Sequence, residues 1–104
     1  FINEERFARA FIGGKFRMKK WGKRKIIQHL KPHKISDYCI RKGMEEIGPE
    51  EYWEALMSQA RKKYEQLNAK SAYIAKGKLS QFLFNRGFES DLVREAVEQI
   101  VNGD

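Results

Sequence analysis

Residues 25–47, KIIQHLKPHKISDYCIRKGMEEI, and residues 78–100, KLSQFLFNRGFESDLVREAVEQI, align without a gap at a separation of 53 positions. Lys25/Lys78, Gln28/Gln81, Leu30/Leu83, Arg41/Arg94, Glu45/Glu98 and Ile47/Ile100 are identical. Ile26/Leu79, Ile35/Phe88, Ile40/Val93 and Met44/Val97 keep their apolar character. Apolar residues recur at helical spacing within each copy, and a turn interrupts both near the middle. Each copy therefore reads as a short helix pair. Self-similarity of this kind is the signature of stacked units that bury a core only together and present an extended surface.

Each pair is preceded by a longer helical pattern, so the chain divides into two three-helix repeats, residues 1–48 and 49–104. In the first repeat, Asn3 is expected to cap a helix with Phe7, Ala10, Phe11 and Met18 facing inward. Gly13 and Gly14 weaken that helix by about 1 kcal/mol each relative to alanine, unless a neighbouring helix needs the close approach. Gly22 breaks it. A second helix over 23–31 turns Ile26, Ile27 and Leu30 inward and stops at Pro32. Ser36 caps a third that carries Cys39, Ile40, Met44 and Ile47 and ends at Gly48. Pro49 opens a fourth, with Trp53, Leu56, Met57, Ala60 and Tyr64 as its apolar face. A fifth, over 71–86, buries Ile74, Leu79, Phe82 and Leu83 and ends at Gly87, and Leu92, Val93, Ala96, Val97 and Ile100 mark a sixth. The expected fold is all-α: six helices in an elongated, curved array of tandem three-helix repeats. Lys34 stands where the second copy has Gly87, so a left-handed lysine with about 1–2 kcal/mol of strain is expected there.

Composition bounds the function. The 104 residues are 41% apolar and 34% charged, enough apolar content for a core and too polar for a membrane span. The lone Cys39 cannot form an internal disulfide, which suits a reducing, cytoplasmic setting. The chain opens Phe1-Ile2 without methionine, and two repeats are few for such an array, so an upstream repeat is expected to precede it. A monomer is the expected state. Residues 1–52 hold 13 of the 21 basic and 7 of the 14 acidic side chains, a net +6 of the total +7. Such an excess favours polyanions or acidic protein surfaces.

Most of that charge lies in KFRMKKWGKRKI (15–26). Lys15, Arg17, Lys19, Lys20, Lys23, Arg24 and Lys25 are candidate phosphate contacts. Lys23, Arg24 and Lys25 open a helix, where the macrodipole disfavours cations, so folding alone gives no reason to gather them. Arg61, Lys62 and Lys63 sit at the matching place in the second repeat, which makes a continuous basic stripe plausible. Arg86, before Gly87, either caps its helix or contacts a partner. Trp21 reads as a packing anchor over Gly22 rather than a platform for base stacking. His29, His33 and Cys39 superficially suggest a metal, but Pro32 breaks the helix that would align the histidines, and Cys39 takes the place of the apolar Leu92. No metal or cofactor is expected. No phosphate loop, acid–base pair or nucleophile–histidine arrangement points to an enzyme.

Three motifs in order, FINEERFARAFI, KKWGKRKIIQHL and FLFNRGFESDLVREAV, resemble the RecX regulatory proteins of bacteria over nearly the whole chain. The resemblance implies tandem three-helix repeats, no catalytic residues, and binding to the RecA recombinase and its filament on DNA. It implies that ATP hydrolysis, strand exchange and co-protease activity are restrained. At position 34 the family pattern has glycine. A second expectation is a helix-turn-helix-like module that contacts DNA phosphates non-specifically. Sequence readout is the weaker form of it, because the would-be recognition helices carry net −1 (Asp37, Arg41, Lys42, Glu45, Glu46) and net −3 (Glu89, Asp91, Arg94, Glu95, Glu98).

Overall fold

The computed structural model describes residues 2–103. Phe1 and Asp104, the outer limits of the two expected repeats, lie outside the described residues. Among the described residues there are six α-helices and one short 3-10 turn, and no strand. The helices are α1 (Ile2–Met18), α2 (Lys23–Leu30), α3 (Asp37–Met44), α4 (Pro49–Gln66), α5 (Ala72–Asn85) and α6 (Ser90–Val101), with the 3-10 turn at Lys31–His33. α1 packs on α2 and α3, and α4, α5 and α6 pack on one another, giving two three-helix units in tandem. The molecule measures 51 × 24 × 21 Å. Its radius of gyration of 15.2 Å exceeds the roughly 13 Å of a compact chain this long.

The caps follow the local chemistry. Ser36 Oγ accepts from Cys39 N at the start of α3, and Ser71 Oγ accepts from Ile74 N at the start of α5. Pro49 occupies the first turn of α4, where its missing N–H costs nothing. Gly87 ends α5 with φ +99°, and Lys34 takes the equivalent left-handed conformation at φ 56°, ψ 40°.

Several boundaries and faces differ from expectation. α1 is helical from Ile2, so Asn3 lies in its first turn instead of capping it, and the helix ends at Met18, before Gly22. α3 ends at Met44, and Gly48 is instead the extended N-cap of α4. The buried stripe of α1 is Ala8, Ile12 and Phe16, whereas Ala10 and Phe7 are exposed and Met18 is 83% exposed. Both stripes have helical spacing, and the packing of α3 decides between them. Gly43 lies so close to α1 that a Cβ there would sit 2.6 Å from Ile12 Cδ1 and 3.2 Å from Ala8. Only a small residue at position 8 permits that approach. Phe7 and Phe11 instead cover His33, with ring centroids 5.1 and 5.5 Å away. Gly13 and Gly14 serve no helix approach: a Cβ at Gly13 would meet only the Arg17 guanidinium, and at Gly14 nothing. In α5, Ala75 is buried and Ile74 is 41% exposed.

The two repeats meet at a joint made largely of backbone. Gly22 N donates to Arg86 O at 2.7 Å, and Arg24 N donates to Gly87 O at 2.9 Å. A Cβ at Gly22 would fall within 2.6 Å of Gly87 O and closer still to Gly87 C and Phe88 N. Tyr52 fills the space beside it, its ring 5.8 Å from Phe16 and 5.4 Å from Phe88. Its hydroxyl accepts from Lys23 N at 2.9 Å and donates to Glu89. Burial, reinforced by the Glu89 carboxylate, pushes the Tyr52 hydroxyl well above its ordinary pKa. It therefore remains the donor.

Candidate functional site

The eleven basic residues singled out by the sequence do not form one stripe. Arg17 Nε lies 3.2 Å from Glu51 Oε2, and its Nη2 donates to Glu46 O, so its charge ties α1 to the start of α4. Lys15 and Lys25 place their ammonium groups 5.2 and 4.9 Å from the centre of the Trp21 ring, which also meets the His29 ring in a tilted contact at 4.5 Å. Trp21 is half-buried and packs against the core, as a packing anchor does. Arg24 lies 4.1 Å from the Phe84 ring, and Lys23 lies 4.7 Å from that of Tyr52, both at the joint. Arg61 faces the cleft between α4 and α6, beside Gln99 and Ile100. Lys19 is exposed.

The remaining four converge. Lys20 from the α1–α2 link, Lys62 and Lys63 from α4, and Arg86 from the end of α5 line one groove of about 250 Å³. Ser58, Gln59, Gln66 and Phe82 complete its walls, and no carboxylate is among them. Glu51, which lines the adjoining surface with Lys20, is engaged by Arg17. The groove thus collects four cations from three chain segments across both repeats with no compensating charge. Such a concave, single-signed surface attracts polyanions.

Local structure holds these groups in place. Lys63 Nζ and Arg86 Cζ each lie 4.9 Å from the centroid of Phe82, and Arg86 Nη1 donates to Gln59 Oε1 at 3.5 Å. Cation–π contacts of this kind contribute about 0.5–1 kcal/mol each at exposed sites and fix the direction of long, flexible side chains. Lys20 adopts φ 61°, a left-handed conformation that costs a non-glycine residue about 1–2 kcal/mol. Strained residues of this sort concentrate at functional sites.

Sequence reading missed the polar walls and the role of Phe82, which it placed in the core. One signal was present: Ser58, Gln59, Lys62, Lys63 and Gln66 recur three and four apart on one face of α4 without an acid. The left-handed turn that swings Lys20 toward that face has no counterpart in the pattern. The histidines are separated, His29 on Trp21 and His33 on Phe7 and Phe11, while Cys39 is buried in α3. No group of three or more metal-binding side chains occurs among the described residues, and none of their helices is long and apolar enough to cross a membrane.

Two tandem three-helix repeats, joined backbone to backbone beneath an acid-free basic groove, define a helical-repeat protein whose distinctive surface is cationic. The family models for the second and third three-helix domains of RecX match residues 3–44 and 50–97. The chain belongs to the RecX family. It is 33% identical over 99 residues to the regulatory protein RecX of Chlorobium phaeobacteroides (strain BS1), covering 95% of this chain and 63% of that protein. It is 25% identical over 103 residues to the regulatory protein RecX of Clostridioides difficile (strain 630), covering 99% of this chain and 49% of that protein. The chain thus spans about half to two thirds of the length of these relatives. No solved structure matches it.

Proposed function

We propose that this chain acts as a regulatory protein that binds the RecA recombinase and its nucleoprotein filament in the cytoplasm and lowers the filament's activities. The role is regulatory rather than catalytic, and the chain acts as a monomer. Family membership along both repeats supports the regulatory role, and the observation that carries the reading is the uncompensated groove of Lys20, Lys62, Lys63 and Arg86. A filament on DNA offers phosphates and acidic protein surface along a helical path, and an elongated molecule with one basic face is suited to lie along it. Lys19, Lys23, Arg24 and Lys25, outside the groove, add further contacts to phosphate or acidic protein surface. The acidic helices α3 and α6 contribute nothing to the groove walls, which disfavours a sequence-reading helix-turn-helix.

The test is DNA-dependent ATP hydrolysis by RecA from the same organism, with this chain titrated in. A saturating, concentration-dependent fall is expected. Replacing Lys19, Lys20, Lys23, Arg24 and Lys25 together by glutamate should leave circular dichroism unchanged and weaken the inhibition steeply. Inhibition by the longer natural protein but not by this chain would move the essential contact outside these two repeats. No inhibition by either would defeat the proposal.

A further inference from the structure

We infer that the groove between the α1–α2 link, α4 and α5 is a clamp for the backbone of a single-stranded nucleic acid, holding phosphates and ignoring the bases. The inference rests on the polyanion reading of the same groove and names its ligand.

The chemistry of the walls selects phosphate. Four cations and the neutral donors of Ser58, Gln59 and Gln66 face the groove with no acid to repel an anion. Side chains of these types contact phosphate oxygens and carry no sequence information by themselves. The groove's one aromatic wall, Phe82, would be the natural platform for a base. Its ring already receives Lys63 and Arg86, each 4.9 Å from the centroid. The two cations thus occupy the place a base would take and remain aimed at the groove. Trp21 is denied to bases in the same way by Lys15, Lys25 and His29.

The size of the groove selects a single strand. A space of about 250 Å³ holds little more than one phosphodiester unit of a flexible chain laid along it. A duplex carries its phosphates on a stiff cylinder whose major groove alone is about 12 Å wide, so it can touch only the rim. Lys20 supplies an independent sign. It stands in a left-handed turn that glycine would adopt without strain, and its side chain completes the cationic wall.

The test is fluorescence anisotropy with three probes of equal length: oligothymidylate, an abasic phosphodiester and a duplex. The proteins are the natural chain, Lys62→Glu, Lys20→Gly and, as a control of equal charge, Lys78→Glu on the exposed face of α5. The thymidylate and abasic probes should bind within about twofold of each other, and the duplex more weakly per phosphate, because the protein holds the backbone. Lys62→Glu should weaken binding by about tenfold and flatten the slope of log K against log salt by about 0.7 for each phosphate no longer neutralised. Lys78→Glu, outside the groove, should change affinity less than about twofold at physiological salt. Lys20→Gly should raise the thermal midpoint while weakening binding, whereas a purely structural Lys20 would gain stability at unchanged affinity. An abasic probe that binds about tenfold more weakly would assign the affinity to bases and overturn the inference. Equal or tighter binding of the duplex would overturn it too, as would a Lys62→Glu chain that binds like the control. If RecA inhibition persists while no probe binds, the groove's ligand is protein, and the filament reading stands without this one. If the probes behave as expected and neither this chain nor the longer natural protein inhibits RecA, the filament reading falls and the clamp remains.

Discussion

Exchanging Gly22 for alanine isolates the contact that joins the repeats. Gly22 has φ −78° and ψ 169°, a conformation open to any residue, so the exchange carries no backbone strain. Its Cβ, however, would fall within 2.6 Å of Gly87 O, where ordinary contact begins near 3.4 Å. The obstructing atoms are backbone, so the repeats must separate by about 1 Å. The bonds Gly22 N to Arg86 O and Arg24 N to Gly87 O, now 2.7 and 2.9 Å, would then exceed hydrogen-bonding distance. Breaking two bonds at about 1 kcal/mol each, plus residual overpacking, costs about 2–4 kcal/mol. Reduced freedom of the unfolded chain returns about 0.4–1 kcal/mol. The net expectation is a destabilisation of about 2–3 kcal/mol, or roughly 8–12 °C in thermal midpoint for a chain of this size. Gly14→Ala is the control: its Cβ meets nothing within 4 Å in the middle of α1, so it should stabilise by about 0.5–1 kcal/mol. Urea denaturation followed by circular dichroism measures both. Gly22→Ala with unchanged stability, or two exchanges shifting the same way, would refute the close backbone contact as the determinant of the joint.

Gly43→Ala should destabilise by about 1–2 kcal/mol, because its Cβ would press on buried Ile12 and on Ala8 and force α1 from α3; an Ile12→Val background should recover part of that stability. Lys34→Gly should stabilise by about 1 kcal/mol in the same denaturation assay, since it removes a side chain from φ 56°. Tyr52→Phe should cost about 1–3 kcal/mol at neutral pH by leaving the Glu89 carboxylate and Lys23 N–H without their partner. The folded-state pKa of Tyr52 is raised, so the stability it contributes is fully present below about pH 10, where an unfolded tyrosine ionises, and declines above it. Denaturation between neutral and strongly alkaline pH should show the difference between natural chain and Tyr52→Phe shrinking only above about pH 10.

Much of the fold was legible because it depends on local rules. The repeat, the six helices, the cap at Ser36, Pro49 at the head of α4 and the left-handed pair Lys34/Gly87 all follow from spacing, hydrogen-bonding side chains and backbone sterics within a few residues. The excess of basic residues was equally plain, and so was the family. What the chain order could not decide was which of two helical stripes on α1 faces inward. Phe7-Ala10-Phe11 and Ala8-Ile12-Phe16 have the same period, and only the approach of Gly43 selects the second. Nor could it sort the cations. Lys20, Lys62, Lys63 and Arg86 come from three segments up to 66 positions apart and meet because the Gly22–Gly87 joint brings the repeats together. Arg17, in the midst of the basic run, is drawn to Glu51, and Lys15 and Lys25 to Trp21. Local sequence determines which residues are helical and charged, because those properties act over one or two turns. Which charges share a groove is settled by packing between repeats, where contacts depend on distance in space rather than along the chain.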